Sequence, residues 1–74
     1  MTRAQCVYTA LDSSVLAAAA YATDGTLGLQ FRSGTIYLYF AIPPAVFHHL
    51  IAAPSKGTYF NRNIRNRFRY QRVP

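Results

Sequence analysis

Hydrophobic and polar positions alternate most clearly in TLGLQFRSGTIYLYF, residues 26–40. Leu27, Leu29 and Phe31 alternate with Thr26, Gly28, Gln30 and Arg32. Ile36, Leu38 and Phe40 then alternate with Thr35, Tyr37 and Tyr39. Period two on both sides of Ser33-Gly34 predicts a β-hairpin with a two-residue link. Pairing across that link sets Phe31 opposite Ile36, Leu29 opposite Leu38 and Leu27 opposite Phe40, so one face is wholly apolar and needs a cover. The other face then carries Gln30, Arg32, Tyr37 and Tyr39.

The period changes after Pro43-Pro44, a pair that ends the strand and suits the first turn of a helix, where a missing N–H costs nothing. Val46, Phe47, Leu50 and Ala53 recur at helical spacing with Ile51 beside them, predicting a short amphipathic helix over 44–53. Pro54 stops it. Ser55 caps a second helix, on which Phe60 and Ile64 fall four apart with Tyr59 nearby. Gly57 in its first turn is a cost to the helix or a point of close backbone approach. Beyond Arg65, Phe68, Tyr70 and Val73 take alternate positions with Arg67, Arg69 and Gln71 between them, the pattern of a last strand or an extended arm.

Residues 13–22, SSVLAAAAYA, pull in two directions. Four consecutive alanines behind an Asp12 or Ser13 cap favour a helix. The brevity of the run and the Asp24-Gly25 hairpin turn leading straight into Thr26 favour a strand. The fold expected is α+β: a three-stranded antiparallel meander, two short helices on its apolar face, and a C-terminal strand or arm. Its core is expected to hold Leu16, Tyr21, Leu27, Leu29, Phe31, Ile36 and Leu38 from the sheet. Phe40, Val46, Phe47, Leu50, Phe60 and Ile64 complete it.

Seventy-four residues make a single domain over 1–74, and 51% hydrophobic content is enough for a compact core. Cys6 is the one cysteine, so no internal disulfide forms, which fits a reducing compartment. Thr9, Asp12, Ser13 and Ser14 interrupt what would otherwise follow Arg3 as a secretory pattern, and the longest nearly apolar run, Val15 to Ala22, is too short for a bilayer. A cytoplasmic protein without a membrane partner is the expectation.

The net charge is +6 and unevenly placed. Arg3 and Arg32 precede residue 56, while Lys56 itself and then Arg62, Arg65, Arg67, Arg69 and Arg72 lie from there on; both acids, Asp12 and Asp24, lie in the first third. Such asymmetry implies an anionic partner. Arginine suits planar, bidentate contact with phosphate and stacking on a base.

At this point the order of motifs carries a resemblance. Ser13-Ser14, Tyr21, a hairpin with Tyr37-Leu38-Tyr39, Ile42-Pro43, and then Ala53-x-Ser55-x-Gly57-x-Tyr59-Phe60-Asn61-x-x-Ile64 resemble the KTSC domain family over about residues 11–72. That family is named after a segment at the end of some lysyl-tRNA synthetases and also occurs as short stand-alone bacterial proteins. The resemblance implies that the Ser-Ser segment leads into a first strand, which tips residues 15–22 towards strand. Through the synthetase association it also suggests RNA as a partner, by context and not by any site. Pro44 and Pro54 stand where polar residues are expected of the family, Ala41 where an acid is expected, and Phe68 where a tyrosine is expected.

The candidate nucleic-acid-binding residues are Lys56, Arg62, Arg65, Arg67, Arg69 and Arg72 for phosphates, with Tyr37, Tyr39 and Tyr70 as stacking surface. Against this stands a plain reading in which Phe68 and Tyr70 pin the chain end, the arginines are solvated and the phenols are covered. Ser55, Gly57 and Asn61 form a candidate anion site at a helix start, or simply a cap and a tight packing point. His48 and His49 are adjacent and point about 100° apart on a helix, so they do not chelate one metal together. Asp12 and Asp24 serve turns or caps, and no nucleophile-elbow pattern frames Ser13 or Ser14. No enzyme, catalytic residue, metal, cofactor or small-molecule substrate is expected. The alternative to RNA binding is a protein-interaction module, docking on a larger protein or on a second copy through exposed tyrosines, arginines or a sheet edge.

Overall fold

The computed structural model describes residues 8–74, so Arg3 and Cys6 lie outside the described residues. The chain runs through β1 (Thr9–Ala10), β2 (Leu16–Tyr21), β3 (Leu27–Phe31), β4 (Ile36–Tyr39), α1 (Pro44–Ala52), α2 (Lys56–Asn63) and β5 (Tyr70–Val73). The strands form one antiparallel sheet in sequence order, β1-β2-β3-β4-β5, with both helices inserted before the last strand.

The α+β class holds, but the sheet has five strands and not the three expected. β1 is two residues long, too short for any periodic signal, and exists because Thr9 and Ala10 pair with Ala19 and Ala18. β5 is the basic C-terminal segment, which docks along β4 with Tyr70 opposite Tyr39 and Val73 opposite Ile36. The alanine run is strand. Ala18, Ala19 and Ala20 are buried in a strand hydrogen-bonded on both edges. Two ladders of hydrogen bonds and burial outweigh alanine's helix preference of a few tenths of a kcal/mol per residue.

The β2–β3 and β3–β4 hairpins close with three-residue loops. In the first, the Ala22 N–H donates to Thr26 O at 2.9 Å and the Gly25 N–H to Ala22 O at 3.0 Å, with Gly25 at φ +91°. In the second, the Phe31 N–H donates to Thr35 O at 2.9 Å and the Gly34 N–H to Phe31 O at 2.8 Å, with Gly34 at φ +97°. This is a tight turn followed by a left-handed residue, a conformation glycine adopts without steric cost.

The extra loop residue corrects the expected register. Leu27 pairs with Tyr39, Gly28 with Leu38, Leu29 with Tyr37 and Gln30 with Ile36. With a side-chain period of two, a one-residue slip turns a whole strand over. Tyr37 and Tyr39 therefore share a face with Leu27, Leu29 and Phe31, not with Gln30. Ile36, Leu38 and Phe40, expected in the core, are only half-buried. Arg32 reaches back across the β1–β2 loop, its Nε donating to Ser13 O at 3.0 Å and its Nη2 to Leu11 O at 3.2 Å.

The helices cover the Leu27–Leu29–Tyr39 face. Pro43 caps α1 and Pro44 fills its first turn; Ser55 Oγ accepts from the Thr58 N–H at 3.4 Å and so caps α2. Leu16, Leu27, Leu29, Ile42, Leu50 and Ile64 are fully buried, and Leu11 joins them. Leu11 and Ile42 stand alone in loops, where no repeat announces them. Tyr21 stacks on Phe47 at 4.6 Å with rings 8° from parallel, and its hydroxyl donates to Ile42 O. Gly57 answers to close approach: a Cβ built there would lie 3.0 Å from Val15 Cγ2.

Candidate functional site

Where the end of α2 meets β4 and β5, aromatic rings line a half-open cavity of about 450 Å³. Its walls are Phe31, Tyr37, Tyr39, Phe60 and Tyr70, and its polar rim is Asn61, Arg65 and Asn66, with Val15 closing one side. The register explains the walls, because Tyr37 and Tyr39 on β4 and Tyr70 on β5 all project to the helix side. The rings meet edge to face: Phe31 with Tyr37 at 5.7 Å, Phe31 with Phe60 at 5.3 Å and Tyr39 with Phe60 at 5.5 Å. Tyr70 lies 5.6 Å from both Tyr37 and Tyr39. Each such pair adds about 0.5–1.5 kcal/mol beyond area burial, so the wall is stiff before any ligand arrives.

The rim is set by how α2 ends. The N–H groups of Ile64 and Arg65 both donate to Phe60 O, at 3.0 and 2.9 Å, and Asn66 adopts φ +65° to send the chain back towards the sheet. That reversal buries Ile64 beneath the site, leaves Arg65 and Asn66 at its mouth, and returns Phe68 to the core. Asparagine tolerates the left-handed region better than most side chains. Arg65 Nη1 donates to Asn61 Oδ1 at 3.4 Å, holding the guanidinium across the rim.

Tyr39 sits deepest, only 4% exposed. Burial, and then the neighbouring phenols of Tyr37 and Tyr70, push its pKa above the ordinary 10.0, with Arg65 pulling the other way. Its hydroxyl makes no hydrogen bond to any described residue, yet no fully buried polar side-chain atom among these residues lacks a partner. The Tyr39 oxygen therefore keeps some access to solvent, on a residue that lines the cavity. No carboxylate lines the space.

The structure brings together Tyr37, Tyr39, Tyr70, Arg65 and Asn61 from the sequence candidates, as a half-open pocket in place of the flat tyrosine platform expected from the hairpin register. Arg72 stands opposite Tyr37 on β5, on the same face. The remaining basic residues diverge. Arg67 and Arg69 line a separate shallow hollow with Phe40 and Ala41, sharing no residue with the cavity. Arg67 Nε donates to Arg62 O at 3.1 Å, and Lys56 Nζ donates to Ala53 O at 3.0 Å, tying each to nearby backbone.

The candidate anion residues have structural work. Ser55 caps α2, Gly57 is packed on Val15, and Asn61 accepts from Arg65. They border a second hollow of about 350 Å³ that also holds Asp12 and Lys56, whose opposite charges leave it no net preference for an anion. His48 and His49 are exposed on α1, His49 packing edge to face near Tyr59. Among the described residues no group of three metal-binding side chains gathers, and no helix is long and apolar enough to cross a membrane. Sequence reasoning missed Val15, Phe31, Phe60 and Asn66 as cavity residues. The first three read as ordinary apolar positions, and a left-handed asparagine has no periodic signature.

Comparison with known proteins places this geometry in context. The family model of the KTSC domain matches residues 12–68. A lysine–tRNA ligase of Nostoc sp. is 47% identical over 51 residues, which are 69% of this chain but 9% of the ligase. A protein of Tsukamurella paurometabola is 42% identical over 60 residues, 80% of this chain and 90% of that one. The crystal structure of a KTSC domain protein from Yersinia pestis has a TM-score of 0.91 at 24% identity, over 95% of this chain and all of that one.

Proposed function

The chain belongs to the KTSC domain family, and from that premise we propose that it is a non-catalytic accessory module that binds single-stranded RNA at the rim of the aromatic cavity. The observation that carries the reading is a ring-walled cavity with a guanidinium at its mouth and no acid in its lining, in a chain of net charge +6. Rings accept the flat face of an unstacked base, and arginines neutralise the adjoining phosphates. Arg65 and Arg72 flank the phenols; Arg62, Arg67 and Arg69 extend positive charge along the same C-terminal segment. The presence of matching segments in lysine–tRNA ligases, proteins whose name makes tRNA a substrate, adds support by association. The cytoplasm, where RNA is abundant, is the matching location.

A second reading has its own observation. β5 closes one side of the sheet with Gln71 and Arg72 exposed, so its outer edge is available to pair with a partner strand or a second copy. Salt dependence separates the two. Contact with four phosphates of a single strand gives a log-log affinity slope of about −2.8, whereas edge pairing shows little dependence. Changing Arg65, Arg67 and Arg69 together to Gln leaves the fold intact, since all three are exposed, and weakens RNA retention in a filter-binding titration. Unchanged retention counts against the reading.

A further inference from the structure

We infer that the cavity is a subsite for one unstacked nucleobase, with the base's rings against Tyr37, Tyr70 and Phe60 and its polar edge turned to Tyr39, Asn61 and Arg65; this rests on the RNA reading above. Three properties of the cavity select that ligand. The first is the wall, where aromatic faces and edges offer stacking to any planar ring. The second is Tyr39, a lining residue 4% exposed, whose hydroxyl has no hydrogen-bond partner among the described residues and is not sealed from solvent. The third is the rim, where an amide and a guanidinium lie within reach of each other, at 3.4 Å, and so converge on one region of space.

Rival occupants fail one or another of these. An apolar side chain from a protein partner would satisfy the rings but would press the Tyr39 hydroxyl and the Arg65 guanidinium against hydrocarbon, at a desolvation cost. An ammonium would find aromatic faces, the usual arrangement for a cation, but would meet Arg65 with no carboxylate in the lining to offset it. A bare phosphate would suit Arg65 and leave the ring-lined floor empty. A base offers flat faces and a hydrogen-bonding edge in one rigid unit, and the cavity, at about 450 Å³, falls in the range of small-molecule sites, about 300–1,000 Å³. Tyr70, 58% exposed on the edge strand, is the wall most open to solvent and so the first a base entering from outside would meet.

The test compares a fluorescently tagged single-stranded hexauridylate with an abasic hexamer of equal phosphate count, by anisotropy at about 100 mM salt. The wild-type chain is expected to prefer the base-bearing strand by about 10-fold or more, the ratio that one stacking contact supplies. Tyr70→Ala, at an exposed position, abolishes that preference. Tyr39→Phe keeps the ring, removes the hydroxyl and lowers hexauridylate affinity by about 3- to 10-fold at unchanged circular dichroism. Arg67→Gln with Arg69→Gln weakens both strands alike. If the wild type binds both strands equally, or if Tyr70→Ala leaves the preference intact, the subsite is wrong while RNA binding stands. If neither strand binds, the RNA reading itself falls and the subsite with it.

Discussion

The two faces of the sheet both carry apolar side chains and end up with different work. Beneath α1 and α2, Leu27 and Leu29 are fully buried, and Tyr37 and Tyr39 continue that face into the cavity. On the opposite face Ile36, Leu38 and Val73 stay half-buried beside Ala18, Ala20 and Gly28, with the Tyr8 ring lying over Gly28. Hydrophobicity alone would have exchanged the contents of β4, since Ile36 and Leu38 are better core residues than two tyrosines. Loop length decided otherwise, and the outcome was chemical as much as structural. A strand with leucine inward would have packed a featureless core; a strand with tyrosine inward leaves hydroxyls around a cavity.

The strongest way to break this comparison is to truncate matched leucines on the two faces. Leu29→Ala empties a fully buried position and should cost about 2–5 kcal/mol in urea denaturation. Leu38→Ala, on the half-buried face, should cost about 1 kcal/mol, the centre of the range for single substitutions. Equal losses would mean that the opposite face is as fully packed as the helical one.

A smaller effect concerns the corner where the chain leaves β4 to lay the helices over one face. Ala41 turns that corner at φ +57°, in the left-handed region that disfavours a Cβ, and its side chain is exposed. Ala41→Gly should stabilise the fold by about 1 kcal/mol, the relief of that strain exceeding glycine's entropy in the unfolded chain. The readout is the urea midpoint at constant m-value. A loss of stability would show that the corner is not strained.

The smallest effect near neutral pH sharpens the comparison from the helical face alone. Folding holds the Tyr39 phenol neutral, its pKa above 10.0, chiefly through burial and then through Tyr37 and Tyr70. The unfolded chain ionises first as pH rises, so it binds fewer protons than the folded one and the stability slope is negative. Stability is therefore held below about pH 10 and lost as pH climbs from there through the folded pKa. Urea midpoints at pH 9 and pH 11 should fall less in Tyr39→Phe than in the wild type. Parallel falls would mean that Tyr39 is as solvated as an ordinary surface tyrosine.

Much of the architecture was legible because it rests on local physics. Pro44 and Ser55, each followed by apolar residues at helical spacing, mark helix starts, Pro54 ends one, and Leu27, Leu29 and Phe31 announce a strand by their spacing. The C-terminal segment was legible as extended, and Tyr37, Tyr39, Tyr70, Arg65 and Asn61 were all marked as candidates by residue type. Other features had no local voice. β1 is two residues held only by its partner, and Leu11 and Ile42 are buried only because distant elements converge on them.

The sequence by itself determined that the chain folds as α+β, where its two helices start and stop, and that its positive charge gathers towards the C-terminus, since propensity, capping and charge act within a few residues. Only the tertiary structure decided which face of β4 lies inward. That choice turned on one added residue in a hairpin loop, and in a structure of period two a single residue inverts everything beyond it. The same step gathered three phenols and one guanidinium around a shared space. Arg72 stays beside that space, opposite Tyr37, while Arg67 and Arg69, its neighbours along the chain, line a separate hollow.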